Sequence, residues 1–82
     1  MSGKQMSYEY KIEHYGALEP DLYKLESLVG SETFNSFDFM VSIDSTRSII
    51  VAISKSPESQ IAFAKTIQYM LTISDSVVIH DL

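Results

Sequence analysis

Apolar and polar positions change rhythm several times along the chain, and each change marks an element. From Tyr8 the order Tyr-Glu-Tyr-Lys-Ile-Glu-His has period two. Tyr8, Tyr10, Ile12 and His14 therefore share one face, and Glu9, Lys11, Glu13 and Tyr15 the other, which predicts a strand wet on one side. Gly16 breaks it. Glu19-Pro20-Asp21 then opens a helix, with proline tolerated in the first turn and acids favoured there. At ~100° per residue, Leu18, Leu22, Leu25, Leu28 and Val29 form one stripe, Tyr23 points away, and Gly30 is the expected left-handed cap.

The polar stretch from Ser31 to Ser36 has Phe34 as its single apolar residue. Alternation resumes from Phe37 to Asp44, predicting Phe37, Phe39, Val41 and Ile43 inward and Asp38, Met40, Ser42 and Asp44 outward. Ser45-Thr46-Arg47 turns the chain. The run Ile49 to Ile53, between serines, is apolar on both faces and β-branched, as a central strand would be. Ser56-Pro57-Glu58 combines a serine N-cap, a proline at the first helical position and an acid beside it. That helix is predicted to run to about Leu71 or Thr72 with Phe63, Ala64, Ile67, Met70 and Leu71 as its core stripe. Asp75-Ser76 turns again, and Val77-Val78-Ile79 is a short final strand.

The resulting order, β-α-β-β-α-β, predicts an α+β fold. Two interlocked split β-α-β units would make a ferredoxin-like sandwich, a four-stranded antiparallel sheet with both helices on one face. Its usual strand order, 4-1-3-2, places the first and third strands centrally and leaves one sheet face open to water. Residues 1–7 are expected to be a flexible N-terminal segment, with 8–82 as the single domain.

Eighty-two residues, 45% of them hydrophobic, suffice for one small core. The absence of cysteine excludes disulfides and thiolate chemistry. Met1 to Ser7 is short and polar, unlike a secretory signal, and the apolar runs are far below membrane-spanning length. A cytoplasmic protein without membrane association is the expectation. Charge is uneven: eight acids against Lys11 and Lys24 lie between Glu9 and Asp44, whereas three acids balance Arg47, Lys55 and Lys65 beyond Ser45. The acidic half, including Glu19, Asp21, Glu26 and Glu32, would repel phosphate backbones, so direct nucleic-acid binding is not expected, while a basic protein partner is allowed.

Candidate chemistry is sparse. His14 and His80 are the sole histidines, predicted at opposite ends of neighbouring strands and without a spaced second ligand, so a structural role is expected and no metal site. Most of the thirteen serines fall at turns, caps and strand ends, and none lies in a Gly-x-Ser-x-Gly elbow. Glu9 and Glu13 share a face, but Lys11 between them balances their charge. Glycine stands only at positions 3, 16 and 30, too few for a phosphate-cradling loop. The expectation is a non-enzyme without cofactor. RNA-recognition domains have the same order of elements but present aromatics and basic residues on their central strands; the third strand here, Ser-Ile-Ile-Val-Ala-Ile-Ser, has neither.

Two surfaces are candidates for protein contact. On the open sheet face Met40, Ile50, Ala52 and Val78 are expected to form an apolar centre bordered by Glu9, Lys11 and Glu13. On the second helix Ala62, Tyr69 and Ile73 are expected to form an outer strip. Arg47, the single arginine, is a candidate anchor for a partner carboxylate, its plainer role being solubility. The favoured function is a small acidic regulatory module that binds a protein stoichiometrically and forms a homodimer. An inhibitor of a basic nucleic-acid-handling protein is its special case. The alternative is a dimeric small-molecule-sensing domain with its ligand near Tyr15-Gly16-Ala17-Leu18, at the first strand–helix turn.

Overall fold

Strand pairing and helix capping follow from local chemistry at most junctions. The computed structural model describes residues 8–82, and the segment expected to be flexible, 1–7, lies outside them. In chain order the elements are β1 (Tyr8–His14), α1 (Leu22–Val29), β2 (Phe39–Ser45), β3 (Ser48–Ile53), α2 (Pro57–Ile73) and β4 (Val77–Asp81). The strands form one antiparallel sheet in the order β2-β3-β1-β4. Thus β1 and β3 are the inner strands, and β2 and β4 are the edges.

The register brings like to like. Ile12 of β1 lies opposite Ile49 of β3 on one side and Ile79 of β4 on the other. Val41 of β2 lies opposite Val51 of β3. Ile12, Phe39, Val41, Ile49, Val51 and Ile53 are buried with Leu25 of α1 and Ala62, Tyr69 and Met70 of α2 in a single core, so both helices cover the same sheet face. Phe34 and Phe63 pack against its margin, Phe34 beside Phe39 with ring centres 6.3 Å apart and Phe63 beside Tyr10 at 5.1 Å.

Helix starts obey capping chemistry. Ser56 accepts the Ser59 N–H at 3.1 Å and Pro57 occupies the first helical position, satisfying and pre-forming the first turn of α2. Asp21 accepts the Tyr23 N–H at 2.9 Å, so α1 begins at Leu22 and Pro20 precedes its first turn. Gly30 has φ of 105° with ψ of 134° and donates its N–H to the Glu26 carbonyl at 2.8 Å. The positive φ suits glycine, but the extended ψ makes this a turn-away rather than the expected left-handed cap.

Several expected faces need correction. Phe37 is fully exposed: the chain bends at Ser36–Phe39, and β2 starts only at Phe39. Ile43 is half exposed because β2 is an edge strand and its ladder with β3 shifts between Ile43 and Ser45. Leu18 and Leu28 are exposed because α1 is only eight residues long and buries just Leu25 fully, with Leu22 and Val29 alongside.

The phase of α2 is the largest change. Its buried residues are Ser59, Ala62, Thr66, Tyr69 and Met70, while Ala64 and Leu71 face solvent. Ala62 is 2% exposed and Tyr69 4%, so the proposed outer strip of Ala62, Tyr69 and Ile73 is in fact an inner one, with Ile73 partly buried against the core. The rotation is stabilised by two hydroxyls, Ser59 and Tyr69, that find partners on other segments, and a third, Thr66, is satisfied within its own helix. Ser59 donates to the Asp38 carbonyl, Thr66 to the Ala62 carbonyl at 2.8 Å, and the Tyr69 hydroxyl accepts the Asp21 N–H at 2.6 Å. Hydrogen-bonded hydroxyls carry little burial penalty, so the stripe need not be wholly apolar.

Candidate interaction face

Strand alternation leaves one sheet face without helices. Across it, Met40 and Ser42 of β2 lie opposite Ala52 and Ile50 of β3, with Ser45 opposite Ser48 beyond the register shift, then Glu9, Lys11 and Glu13 of β1, then His80 and Val78 of β4. The final strand thus presents Val78 and His80 on this side and Val77 and Ile79 toward the helices. Met40 is 55% exposed, while Ile50 and Ala52, on an inner strand, are half-buried.

The register divides the expected apolar centre. Met40, Ala52 and Ile50 form one patch on the β2–β3 half, and Val78 lies apart on β4. Between them runs the Glu9-Lys11-Glu13 stripe, which therefore crosses the middle of the face instead of bordering it, because β1 is an inner strand. Lys11 reaches Asp44 at 3.8 Å and Glu13 meets the His80 imidazole at 3.0 Å. Asp44 also accepts from Ser48 at 2.9 Å. Among the described residues Glu9 has no ion-pair partner. An apolar patch beside one uncommitted carboxylate is what this face offers a partner.

The other predicted positions are dispersed. Glu19 and Glu32 are exposed, Glu26 is partly buried, and Asp21 is committed to capping α1. Arg47 is exposed in the two-residue turn between β2 and β3, where its backbone receives the His14 N–H at 2.8 Å and its own N–H bonds the Ser45 hydroxyl at 3.1 Å. Its guanidinium has no ion-pair partner among the described residues.

The two histidines have different lives. His14 is 0% exposed on the helix side; its Nε2 is 3.1 Å from the Thr46 carbonyl and its Nδ1 accepts the Gly16 N–H at 3.1 Å. A carbonyl at one nitrogen and an N–H at the other fix the neutral Nε2–H tautomer, with both ring nitrogens spent on backbone. His80 sits on the opposite face, three register positions from His14. Among the described residues no three histidine or acidic side chains gather in a way that could hold a metal ion.

The turn after β1 was the other expected site. Gly16 packs so closely on the Ile73 carbonyl that any Cβ there would overlap it. A cavity of about 440 Å³ opens beside it, lined by Tyr15, Gly16, Thr72, Ile73, Ser74 and Asp75 among others. Its central hydroxyl is already engaged: Ser74 accepts the Tyr15 N–H at 3.1 Å and donates to the Ser76 carbonyl at 2.8 Å.

Sequence reading passed over Asn35. It has φ of 59°, a left-handed conformation that asparagine tolerates better than most residues, and its side-chain oxygen accepts the Val41 N–H at 3.2 Å. An asparagine in a polar stretch just before a strand was the available signal. Among the described residues no helix is long and apolar enough to cross a membrane. In comparisons with known proteins, the chain matches no family model, no curated protein and no solved structure.

Proposed function

We propose that the chain is a small acidic, non-catalytic interaction module that binds a protein partner stoichiometrically through its open sheet face. Its architecture on this reading is a ferredoxin-like sandwich, since β2-β3-β1-β4 read from the other edge is 4-1-3-2. The observation that carries the function is the pairing of an exposed apolar patch, Met40–Ala52–Ile50, with the Glu9 carboxylate opposite Ala52. Such a site fits a partner that presents a lysine or arginine next to an apolar side chain. The net charge of −5 draws basic proteins and disfavours nucleic acid. A basic nucleic-acid-handling protein, blocked by carboxylates where phosphates would lie, is the special case.

The test is capture from native extract at low and high salt, with wild type, Glu9→Lys and the double variant Met40→Asp/Ile50→Asp compared. A partner held by wild type, weakened by salt and by Glu9→Lys, and lost from the double variant supports the proposal. Capture indifferent to all three changes removes it.

A second reading places a small metabolite in the cavity beside Gly16. A ligand at a hundred times its dissociation constant would add about 2.7 kcal/mol of stability and raise the melting temperature. Metabolite pools that leave the melting temperature unchanged would eliminate it.

A further inference from the structure

The two edges of the sheet are treated differently. In β2 the backbone groups of Phe39, Val41 and Ile43 point away from the sheet, because the ladder to β3 continues from the Ser54 N–H to Asp38 carbonyl bond, which fixes the alternate residues as the paired ones. Two of those three outward N–H groups are already used: Phe39 donates to the Ser36 carbonyl at 3.3 Å and Val41 to the Asn35 side chain. A register shift between Ile43 and Ser45 further disrupts this edge. These are recognised guards against edge pairing.

The β4 edge carries none of these guards. The Leu82 N–H to Glu9 carbonyl bond at 3.0 Å sets the ladder to β1, so His80 and Val78 pair inward and Val77, Ile79 and Asp81 point their N–H and C=O groups outward. No hydrogen bond among the described residues reaches those outward groups. The strand contains no proline, lysine or register shift, and Ile79 is 43% exposed although it faces the helix side.

We propose that β4 is a dimerisation edge, where two copies of this chain pair β4 to β4, antiparallel about a two-fold axis at Ile79, into one continuous sheet. This register matches all three outward positions at once: Ile79 with the other copy's Ile79, and Val77 with Asp81 in both directions. Charges alternate across the join. On the open face Lys11 and His80 of one copy continue into Val78 and Glu13 of the second, so no carboxylate faces a carboxylate. On the helix face Asp81 meets Val77, and the Ile12–Ile79 row continues into its own copy. Sliding by two residues either sets His80 against His80 or places Asp75 against Asp81. Because the β2 edge is guarded, β4-to-β2 stacking into open filaments is blocked and the pairing closes at two.

The experiment measures particle mass by light scattering on the full chain from micromolar to millimolar concentration, alongside amide hydrogen exchange. Wild type is expected to reach twice the chain mass, with the Ile79 amide protected. Ile79→Pro removes an outward N–H at a position where an edge strand tolerates proline, and Ile79→Lys adds a guard charge. Both are expected to halve the mass while leaving the circular dichroism spectrum unchanged, whereas Met40→Asp should stay dimeric, which separates this edge from the partner face. A wild-type monomer at millimolar concentration, a dimer that survives both variants, or a dimer whose Ile79 amide exchanges freely overturns the proposal.

Discussion

The covered and open faces of the sheet use the same strands, and both contain polar side chains, but those side chains bond to different things. On the covered side, hydroxyls and the imidazole bond to backbone: His14 to Thr46 and Gly16, Ser59 to Asp38, Tyr69 to Asp21. On the open side they bond mainly to one another: Lys11 with Asp44, Glu13 with His80, Ser48 with Asp44 and Ser45. Backbone partners are fixed by the fold, so covered polar groups hold loops in place and are costly to remove. The two ion pairs are partly exposed and therefore exchangeable with water, while Ser48 is buried and holds the β2–β3 turn.

The sharpest way to break this contrast is at the apolar floor of the covered face. Leu25→Ala, fully buried in α1, is expected to cost about 2–5 kcal/mol, read as a lower urea midpoint; Phe39→Ala should cost about 3–5 kcal/mol. A loss under about 1 kcal/mol at either position would mean that the helices do not pack as described. Next comes a polar test of the phase of α2. Tyr69→Phe removes the acceptor for the Asp21 N–H and is expected to cost about 1–3 kcal/mol, while Leu71→Ala, 47% exposed, should cost clearly less. The reverse order would restore the rotation expected from apolar spacing alone.

Smaller effects are expected on the open face. Met40→Asp should cost about 1 kcal/mol or less, since its side chain is 55% exposed and the loss is mainly of strand preference. Unfolding by that substitution would show the two faces to be reversed. Glu13→Gln, which weakens the contact with His80, is expected to change stability by about 0–1 kcal/mol in equilibrium denaturation, as exposed ion pairs do.

How much of this was legible beforehand depended on whether the signal was local. The cap at Ser56, the proline after it, the alternation in β1 and the doubly apolar β3 are properties of neighbouring residues, and they set three elements close to their observed bounds. The placement of Met40, Ile50 and Ala52 on one face followed from period two, whereas the face of Val78 in the uniformly apolar last strand came only from its register with β1. The charged stripe dividing them was read as a border instead, although the expected order already placed the first strand, with Glu9, Lys11 and Glu13, inside the sheet. Phe37 and Ala62 were misread for related reasons. A turn moved Phe37 out of the strand, and hydrogen-bonded Ser59 and Tyr69 turned Ala62 inward where a purely apolar stripe would have turned it out.

By itself, then, the chain determined its elements, their α+β order and the acidity of its first half, since capping, alternation and charge are written in adjacent residues. Only the tertiary structure decided the burial of His14 between two loops, the phase of α2, and the contrast between a β2 edge closed by Asn35 and a β4 edge left open. The first two depend on hydrogen bonds between residues distant in sequence, whose partners no local pattern encodes, and the third on the left-handed turn at Asn35, which carries its side chain back to the Val41 N–H.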